Sequence, residues 1–552
     1  GNYTYNSLSD FYKATKGDTV TLAIFEQQYS VLPGKEIPVD KITIHQPGVY
    51  VQDQVSALDD RLNVTFGVRV DVPIYESDAA YLNEQAANLN FRDADGSTIK
   101  LRTDKLPKTQ AMFSPRVGFN YDVMGDRTFQ LRGGVGVFTG RVPFVWLANQ
   151  ISNNGVTKGS IRDQNAATRK YIFSDDVTKY IPADPKLAPS YNLAVTDENF
   201  KFPQLLRFNF AADHQLMYNV VGSIEGIFNK TINNIYYIDA NQKGSIGSYS
   251  GADARQIYSG GSANRINSSV TDAILLKNTN QGYSFSITPK LEKQFKNDFY
   301  LMMAYNFSVA KDLLTGGSIA NSSWTDNLSY AGNNYPDLAY SNDDQRHRFI
   351  TALSYKFKYS KYTSTQVSLF YQYFNQGRFS LTVNGDINQD GLTRNNDLMY
   401  VPNDGSEIEF KDAATANEQR EAFMNFVNSN EQLSKFKGGY FPRNGGLLPN
   451  IHGLDFTLIQ EFKLNVNSKT HRLQLRADVY NLLNMVNPDW GGGNQVVVNT
   501  TPLKFEGKSA DNKPLYSFAK DNNGKYRTNL LEKSARLADV WQLQVGLRYI
   551  FN

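Results

Sequence analysis

The chain ends with the sequence VWQLQVGLRYIFN, residues 540–552, in which apolar and polar residues alternate. One face carries Trp541, Leu543, Val545, Leu547, Tyr549 and Phe551, and the other carries Gln542, Gln544, Gly546 and Arg548. Successive side chains of a β-strand point to opposite faces, so this alternation predicts a strand with one apolar face. The run has about the ten residues that a tilted membrane-spanning strand needs. We therefore predict that residues 540–552 form the last strand of a large transmembrane β-barrel.

The same alternation returns along the whole chain. Predicted strands come in pairs: 42–54 with 61–72, 113–123 with 127–138, 204–216 with 218–231, 281–294 with 297–310, 346–358 with 361–374, and 453–464 with 470–483. A strand at 18–29 and the last strand at 540–551 bring the predicted count to fourteen. Residues 1–7 could be the tail of a fifteenth strand, and residues 8–14 predict a short helix on the periplasmic side.

Connections between the predicted strands alternate between short and long. Short turns lie near 56–60, 124–126, 217, 295–296, 359–360 and 465–469, whereas long segments cover 73–112, 139–203, 232–280, 311–345, 375–452 and 484–539. Bacterial outer-membrane barrels sort their connections in this way, with short periplasmic turns and long extracellular loops. A soluble β-sandwich also alternates along its strands, but it has no reason to sort its loops. The predicted fold class is therefore all-β, a transmembrane antiparallel β-barrel of the bacterial outer membrane.

The composition agrees with a barrel and excludes several other classes. Aromatic residues make up 13% of the 552 residues, with 33 Tyr and 34 Phe, which suits aromatic girdles at both membrane interfaces. No apolar run approaches the ~18 residues of a membrane helix. The absence of cysteine excludes disulfides, thiolate metal sites and cysteine nucleophiles. A net charge of +3 is small for this length and predicts no nucleic-acid partner.

Several segments resemble the C-terminal part of TonB-dependent receptors. They are VYVQDQ at 49–54 followed by LNVTFGVR at 62–69, SPRVG at 114–118, and DVYNLLN at 478–484. Further segments are similar to the Oar-like receptors of Bacteroidetes and their relatives: LRGGVGVFTGRVPFVWLANQISNN at 131–154, DDQRHRF at 343–349, and residues 437–462 with Arg443, Asn444, Pro449, Asp455 and Gln460. The motifs follow one another in the family's order and cover nearly the whole chain.

The resemblance implies a 22-stranded barrel whose lumen is filled by an N-terminal plug. Residues 1–552 would then be one barrel domain with the C-terminal fourteen or fifteen strands, and the plug and the first strands are expected upstream of Gly1. The resemblance also implies uptake of an unidentified substrate, contact with outer-membrane lipid, coupling to the TonB complex through the plug, and insertion by the barrel-assembly machinery. A surface lipoprotein or a secreted protein is a partner that it leaves open.

Two other functions stay open from the sequence. Some Oar-like proteins are linked to the cell surface and to secretion, so a surface adhesion, structural or secretion-linked receptor without a dedicated import role is one of them. A passive pore is the other. The sequence has no HExxH, GxSxG or P-loop pattern, and its five histidines, at 45, 214, 347, 452 and 471, are scattered. We therefore predict that the chain is not an enzyme.

The final strand carries Gln544, Gly546, Tyr549 and Phe551, a polar residue, a glycine and two aromatics on alternating positions. This set resembles the signal that the barrel-assembly machinery reads, and an unpaired strand edge is a template for pairing. The alternative is that any terminal barrel strand alternates in this manner. Asn552 departs from the signal, because such chains usually end on the aromatic residue.

The sharpest chemical motif is DINQDGLTRNND at residues 386–397. It fits the pattern of a Ca²⁺ loop, which supplies oxygen ligands from positions 1, 3, 5, 7 and 12. Those positions are Asp386, Asn388, Asp390, Leu392 through its backbone carbonyl, and Asp397. Asp stands where the pattern has the longer Glu, and an ordinary Asn/Asp/Gly turn is the alternative. We predict a structural Ca²⁺ site in an extracellular loop.

Three further segments give local predictions. Residues 413–436 predict a helix that packs inside the loop 375–452 rather than one that binds a partner. Phe144, Val145 and Trp146 form an apolar cluster that packs into the barrel mouth or against a neighbouring loop, with contact to a ligand or partner as the alternative. The segment GGVGVFTG at 133–140 misses the dinucleotide pattern GxGxxG, because Thr139 stands at the last glycine position. Its glycines are predicted to face the lumen.

Overall fold

A single antiparallel sheet dominates the computed structural model, which describes all residues except 1, 17, 19, 21, 33, 35, 38, 39, 164–170, 172, 173, 189, 393, 467, 468, 493, 494, 534–538 and 552. Thirteen strands follow one another across this sheet in chain order. They are β1 (Gly48–Ala57), β2 (Leu62–Asp71), β3 (Met112–Asp122), β4 (Phe129–Thr139), β5 (Gln204–Gln215), β6 (Val221–Asp239), β7 (Tyr283–Gln294), β8 (Phe299–Asp312), β9 (His347–Lys358), β10 (Thr363–Asn375), β11 (Asn450–Val466), β12 (Lys469–Tyr480) and β13 (Gln542–Phe551).

The remaining elements are short and lie mostly in the long connections. The helices are Leu8–Thr15, Glu84–Asn88, Val145–Ser152, Ala320–Thr325, Ala416–Ser429, Glu431–Ser434 and Leu482–Val486, with 3₁₀ turns at Met217–Asn219, Gly261–Asn264 and Gly405–Glu407. The other strands are Asn2–Tyr5, Leu22–Ser30, Thr43–His45, Ile74–Glu76, Phe91–Arg92, Thr98–Ile99, Lys158–Asp163, Tyr191–Thr196, Gly247–Ser248, Gln256–Ile257, Val270–Thr279, Ala339–Tyr340, Arg378–Phe379, Val383–Asn384, Tyr400–Val401, Glu409–Phe410, Gly439–Tyr440, Gly446–Leu447, Gln495–Val497, Leu503–Lys508, Pro514–Phe518 and Leu531–Lys533. In the described part of the chain, no helix is long and apolar enough to span a bilayer.

The strand order confirms the predicted up-and-down sheet. Every strand from β1 to β13 pairs antiparallel with the next one along the chain. Short turns connect the strands at one end of the sheet, and left-handed residues such as Asn219 (φ 56°) and Asp298 (φ 61°) let the chain reverse within a few positions. The predicted turn 465–469 lies partly outside the described residues. We call the two ends of the sheet the short-turn end and the long-loop end.

The predicted barrel strand at 18–29 was wrong. Leu22–Ser30 pairs with Asn2–Tyr5 and with Lys158–Asp163 in a separate three-stranded sheet. Its side chain Phe25 is fully buried and stacks on Tyr171, so this strand turns its apolar residues into a small core and not toward lipid. The thirteen-stranded sheet is thus one strand short of the prediction, and the strand at 1–7 belongs to the small sheet as well.

Two smaller differences follow from local pairing. The strand predicted at 42–54 begins at Gly48, because Thr43–His45 pairs instead with Ile74–Glu76. The helix predicted at 8–14 is present as Leu8–Thr15, and the Ser7 side chain accepts a hydrogen bond from the Asp10 amide at its start. An N-terminal serine cap of this kind satisfies an amide that the helix leaves without a partner. The position of this helix on the periplasmic side stays a prediction, because the strand that follows it pairs with Lys158–Asp163 of the long segment 139–203.

The sheet has one apolar face and one polar face. Directly paired residues on the apolar face are Phe66, Val117, Val135, Phe208, Phe228, Phe285 and Val309. Several of these side chains are open to the surroundings, with Phe208 exposed to 45%. An apolar surface that extends over this many strands indicates contact with lipid. Closure of the sheet is not seen, since β1 and β13 do not pair with each other in the described residues.

Candidate functional site

A row of polar residues crosses the polar face of the sheet near the long-loop end. The directly paired members of this row are Gln52, Gly67, Arg116, Gly136, Arg207, Asn229 and Ser284. Paired residues on neighbouring strands lie about 5 Å apart and point to the same face. The register therefore holds Arg116 of β3 and Arg207 of β5 on the two sides of Gly136 in β4.

Phe138 lies between the two arginine side chains. Its ring centroid is 4.9 Å from Cζ of Arg116 and 5.6 Å from Cζ of Arg207. The negative face of an aromatic ring attracts a guanidinium at these distances. A Cβ at Gly136 would lie 3.1 Å from Cγ of Arg116, so the glycine leaves the space that this side chain uses. The arrangement is a cation–aromatic–cation triad on the inner wall.

A cavity of 510 Å³ opens in front of this triad and is lined on the floor by glycines of β2, β3 and β4. Its volume falls within the roughly 300–1,000 Å³ of small-molecule pockets. Among the described residues, no carboxylate lies within ion-pairing distance of Arg116 or Arg207. By contrast, the neighbouring Arg69, which also lines the cavity, is paired with Asp71 at 2.7 Å.

At the long-loop end, residues 247–257, 379–441 and 503–530 fold together into what we call the loop assembly. They share one hydrophobic core, in which Leu381, Phe423 and Phe441 are fully buried. The predicted helix at 413–436 is confirmed as Ala416–Ser429 followed by Glu431–Ser434, and its apolar side packs in this core. Glu409–Phe410 pairs with Pro514–Phe518, which ties two of the segments together.

Arg255 is a fully buried cation of the loop assembly. Its guanidinium donates to Asp253 at 2.9 and 3.0 Å and to the backbone oxygen of Leu398 at 3.0 Å. The hydroxyls of Tyr440 and Tyr516 also donate to the Asp253 carboxylate, at 3.0 and 2.6 Å. A buried ion pair holds only when its remaining polar atoms find partners, and this network supplies most of them.

The predicted Ca²⁺ loop lies beside this charge centre, and its side chains turn toward its own backbone. The Asp386 carboxylate accepts from the amides of Asp390 and Gly391 at 3.0 and 2.9 Å. Asn388 Oδ1 also accepts from the Asp390 amide, and Asp390 Oδ1 accepts from the Leu392 amide, both at 2.9 Å. The hydrogen bonds curl the first seven residues of the motif into one tight turn.

Asp397, the last residue of the motif, returns to its beginning. Its Oδ2 accepts from the Ile387 amide at 3.2 Å. Its Oδ1 is buried without a hydrogen bond and lies 3.9 Å from Nη1 of Arg255. The structure thus brings Asp397 and Asp386 to the same turn, as the motif predicts. Within the described residues, however, no three acidic or histidine side chains are gathered closely enough to hold a metal ion by themselves.

Electrostatics in this turn favour a cation or a proton. Burial, together with the neighbouring Asp386 carboxylate, raises the pKa of Asp390 to about 7. Burial and the Asp390 carboxylate raise the pKa of Asp397 well above its usual range, although the Arg255 guanidinium opposes this shift. Burial also raises the pKa of Asp386. Carboxylates crowded in a poorly hydrated place are costly to ionise unless positive charge comes close.

The predicted assembly signal lies on an edge strand. β13 pairs with β12 along one side, and Gly546 faces Arg476 in that pairing. Tyr549 bonds through its hydroxyl to the His471 ring at 2.5 Å. The opposite side of β13 has no partner among the described strands, and Phe551 is 68% exposed. Asn552, the departure from the signal, lies outside the described residues.

Two local predictions were partly correct. Trp146 packs against a buried cluster and donates from Nε1 to the Gly317 backbone oxygen at 2.7 Å, whereas Phe144 and Val145 stay 43% and 45% exposed. Gly134 faces the polar side as predicted, but Gly133 does not. It pairs with phenylalanines of β3 and β5 on the apolar face, because neighbouring residues of a strand alternate between faces.

The triad of Arg116, Phe138 and Arg207 was missed by the sequence analysis. Its residues come from three strands, and the two arginines are 91 positions apart. Only the pairing register brings them together. The sequence contained only a local signal. Residues alternate in SPRVG and GVGVF, and this alternation places Arg116 and Phe138 on the polar faces of their strands.

The fold resembles proteins that are already known. The family described as "Outer membrane beta barrel domain" matches residues 1–502. No curated protein matches the sequence. Similar solved structures include BauA, the ferric preacinetobactin receptor from Acinetobacter baumannii, at 9% identity, with 80% of this chain and 39% of that chain covered and a TM-score of 0.37.

Two further solved structures are similar at the same level. The outer membrane transporter YddB from Escherichia coli has 8% identity and a TM-score of 0.38, covering 93% of this chain and 55% of that one. The FrpB iron transporter from Neisseria meningitidis has 9% identity and a TM-score of 0.38, covering 93% and 46%. The chain therefore spans between 39% and 55% of the length of these three proteins. Likeness at this level says nothing about what the chain binds.

Proposed function

Because the chain belongs to the outer membrane beta barrel domain family and is located in the outer membrane, we propose that it is the barrel wall of a TonB-dependent transporter. The substrate is a molecule still to be identified. In this proposal the long loops and a plug bind it outside the cell, and the TonB complex of the inner membrane supplies energy through the plug. The Oar-like group is the proposed subfamily.

The observation that carries this proposal is the contrast between the two faces of the sheet. An apolar face suits lipid, and a polar wall with a cavity and charged side chains suits the passage of a polar molecule. The segments of the TonB-dependent resemblance lie on strands of this sheet: 49–54 on β1, 62–69 on β2 and 114–118 on β3, while 478–484 begins on β12. They support transport but do not identify what is transported.

Depletion of the growth medium tests the proposal even while the substrate is unidentified. Three strains are compared: the parent, a strain that lacks the full gene, and a strain that lacks TonB. Peptides, glycans and metal chelates that disappear from the medium are measured by mass spectrometry. We expect one class of compound to be retained in both mutants. Equal depletion by all three strains would contradict transport, and an open conductance of the intact protein in planar bilayers would support a passive pore instead.

A surface receptor is the second candidate function. The loop assembly favours it, because a region with its own hydrophobic core presents a fixed surface that a protein or lipoprotein partner can bind. In that case the gene deletion changes cell adhesion or the set of secreted proteins and leaves the depletion of the medium unchanged. The depletion experiment therefore separates the two functions.

We also propose a structural Ca²⁺ ion at residues 386–397, held by Asp386, Asn388, Asp390, the Leu392 carbonyl and Asp397. Support comes from the buried carboxylates of the turn, of which Asp397 lies 3.9 Å from the Arg255 guanidinium. Hard oxygen ligands of this kind suit Ca²⁺. Binding requires the side chains of Asp386 and Asp390 to rotate away from the backbone amides that they now accept from.

Metal analysis of the purified protein tests this ion. Asp390→Asn removes one charged ligand, and Asp404→Asn makes the same change at an exposed residue that caps the 3₁₀ turn Gly405–Glu407. We expect about one Ca²⁺ per chain in the wild type and in Asp404→Asn after dialysis, and a clear loss in Asp390→Asn. The same calcium content in all three proteins would exclude a site at this turn.

The last strand is proposed to be read by the barrel-assembly machinery. Its open edge and its exposed aromatic residues support this, since an unpaired strand offers its amides and carbonyls to a partner strand. Phe551→Ala combined with Tyr549→Ala should lower the amount of folded, heat-modifiable protein in the outer membrane. Trp541→Ala on the same face of the strand is the control, and a similar loss there would argue against a specific signal.

A further inference from the structure

We propose that Arg116, Phe138 and Arg207 form a binding subsite for an oxyanion, the carboxylate or phosphate group of the molecule that enters the barrel. The proposal rests on the transport function and narrows the substrate class to anionic molecules. It concerns the wall of the barrel near the long-loop end, where a molecule arriving through the loops would first meet the inner face.

Charge is the first reason. Neither arginine of the triad has a carboxylate partner among the described residues, whereas other arginines on the same wall are neutralised. Arg132, four residues before Gly136 on β4, contacts Asp213 at 2.8 Å and Glu225 at 3.3 Å. The triad therefore places two guanidiniums without carboxylate partners on one aromatic ring, close to Arg69 and Arg132, which are both paired with carboxylates. A cleft with uncompensated charge of one sign attracts ligands of the opposite sign.

Donor geometry is the second reason. Arg207 donates from Nε to Asn229 Oδ1 at 2.7 Å, and the Asn229 amide donates in turn to Ser284 Oγ at 2.8 Å. This chain of hydrogen bonds fixes one side of the guanidinium. Its two Nη atoms make no hydrogen bond to the described residues. They are free to form the paired N–H···O contacts through which arginine binds carboxylates and phosphates.

Rigidity is the third reason. Long side chains lose conformational freedom when they bind a ligand, and that loss weakens affinity. Here the Phe138 ring contacts both guanidiniums before any ligand arrives. Gly136 lets the Arg116 side chain lie close against β4. Both cations are therefore held in advance, so less freedom is lost on binding.

Calorimetry on the full-length protein in detergent is the direct test. Citrate serves as the carboxylate probe and inorganic phosphate as the phosphate probe, each titrated separately at low salt. We expect at least one of them to bind. Arg116→Gln and Arg207→Gln should each weaken that binding by about tenfold or more, since one charge-assisted pair of hydrogen bonds is lost. The probe that responds identifies which oxyanion the subsite prefers.

Three variants distinguish direct contact between the triad and the oxyanion from a general effect of positive charge on the wall. Arg132→Gln removes the same charge from the same strand wall, and it should leave the affinity within about twofold. Arg207→Lys keeps the charge but loses the planar fork, and it should weaken binding nearly as much as Arg207→Gln. Phe138→Leu keeps both cations and should weaken binding by a smaller factor. Heat-modifiable migration of each variant confirms that the barrel has folded.

Unchanged affinity in Arg116→Gln and Arg207→Gln, or the same loss in Arg132→Gln, would overturn the subsite. So would a result in which neither probe binds and the two triad variants lose heat stability, because the arginines would then hold an acidic segment of the protein itself. Uptake distinguishes this inference from the transport proposal. If TonB-dependent uptake persists in folded triad variants, the subsite is wrong and transport stands; if the probes bind but no uptake exists, transport is wrong.

Discussion

The thirteen-stranded sheet and the loop assembly exclude water from their apolar residues in different ways. On the sheet, large apolar side chains remain open at the surface of the protein, as with Phe210 at 52% exposure. In the loop assembly, Phe423 and Phe441 are fully buried against other residues of the same chain. The sheet therefore needs lipid to cover its apolar face, whereas the loop assembly is stabilised by a core like that of a soluble domain. Substitutions should separate the two regions accordingly.

The largest effect is expected where the loop assembly buries charge. Arg255→Ala leaves the Asp253 carboxylate buried without its partner, which should destabilise the loop assembly by about 3–5 kcal/mol. Arg394→Ala is the control, because its contact with Asp326 is more than half exposed and should contribute less than about 1 kcal/mol. Limited proteolysis within 379–441 measures the loops, and heat-modifiable migration measures the barrel. Loss of both together in Arg255→Ala would show that the two regions unfold as one unit.

A phenylalanine from each region gives the most direct comparison. Phe423→Ala opens a cavity in the loop core and should cost about 3–5 kcal/mol. Phe228→Ala on the apolar face of β6 loses contact with lipid and with the paired Phe208 and Phe285 but leaves no closed cavity, so a smaller loss of about 1 kcal/mol is expected. Both proteins are unfolded in urea. Proteolysis measures the unfolding of the loop assembly, and heat-modifiable migration measures the unfolding of the sheet. Equal losses of stability in Phe423→Ala and Phe228→Ala would contradict this difference between the loop assembly and the sheet.

The stability of the loop assembly should depend on pH, whereas the stability of the sheet should not. In the folded state the pKa of Asp390 is raised to about 7 by burial and by Asp386, while in the unfolded chain it is near 4. Between these values the unfolded chain releases a proton that the folded state keeps, so loop stability falls as pH rises from about 4 to about 7. The change is on the order of a few kcal/mol without added Ca²⁺.

Asp390→Asn removes this group and should make the pH dependence of loop proteolysis shallower over the same range, while Asp397 and Asp386, whose pKa values burial also raises, keep part of it. Added Ca²⁺ should have the same effect in the wild type, because a bound cation offsets the cost of ionisation. A slope that is unchanged in Asp390→Asn would assign the pH dependence to other groups.

The smallest effect is expected at the surface of the loop assembly. Lys435 and Glu431 form an exposed contact one helical turn apart, at 2.9 Å. Lys435→Ala should leave loop stability close to that of the wild type, since such exposed pairs are screened by water and salt. Proteolysis rates equal to the wild type within error are the expected outcome. A large change would mean that the Glu431–Ser434 helix matters more than its contacts indicate.

The sheet could be predicted from sequence because each strand repeats the same local rule. Period-two alternation located thirteen strands, most of them within three residues of their ends, and the short turns fixed which strands are neighbours. The rule failed at Leu22–Ser30, because a strand that packs in a small protein core alternates in the same way as one that faces lipid. Alternation reports that one face is apolar, but it does not report what covers that face.

The loop assembly could not be predicted in the same manner. Its strands are often two residues long and pair across large separations, as Glu409–Phe410 does with Pro514–Phe518. Arg255 meets Asp397 only after three segments have folded together. The helix at 416–429 was predictable because its periodicity is local, and the turn at 386–397 because its residue types are. Contacts between segments that are far apart in sequence depend on how these segments pack together, and the residue pattern of one segment alone does not specify that packing.

Strand β6 continues without a break from one region toward the other. Residues 221–230 pair with β7 in the sheet, and residues 234–239 pair with Val270–Thr279 beyond it. Nineteen residues of extended chain measure roughly 60 Å, about twice the thickness of the hydrocarbon layer. Hydrogen bonds to neighbouring strands hold β6 at both of its ends. Because one backbone joins the outer end of β6 to the wall beside Arg207, a tilt of that outer end would be transmitted to the wall along the strand itself.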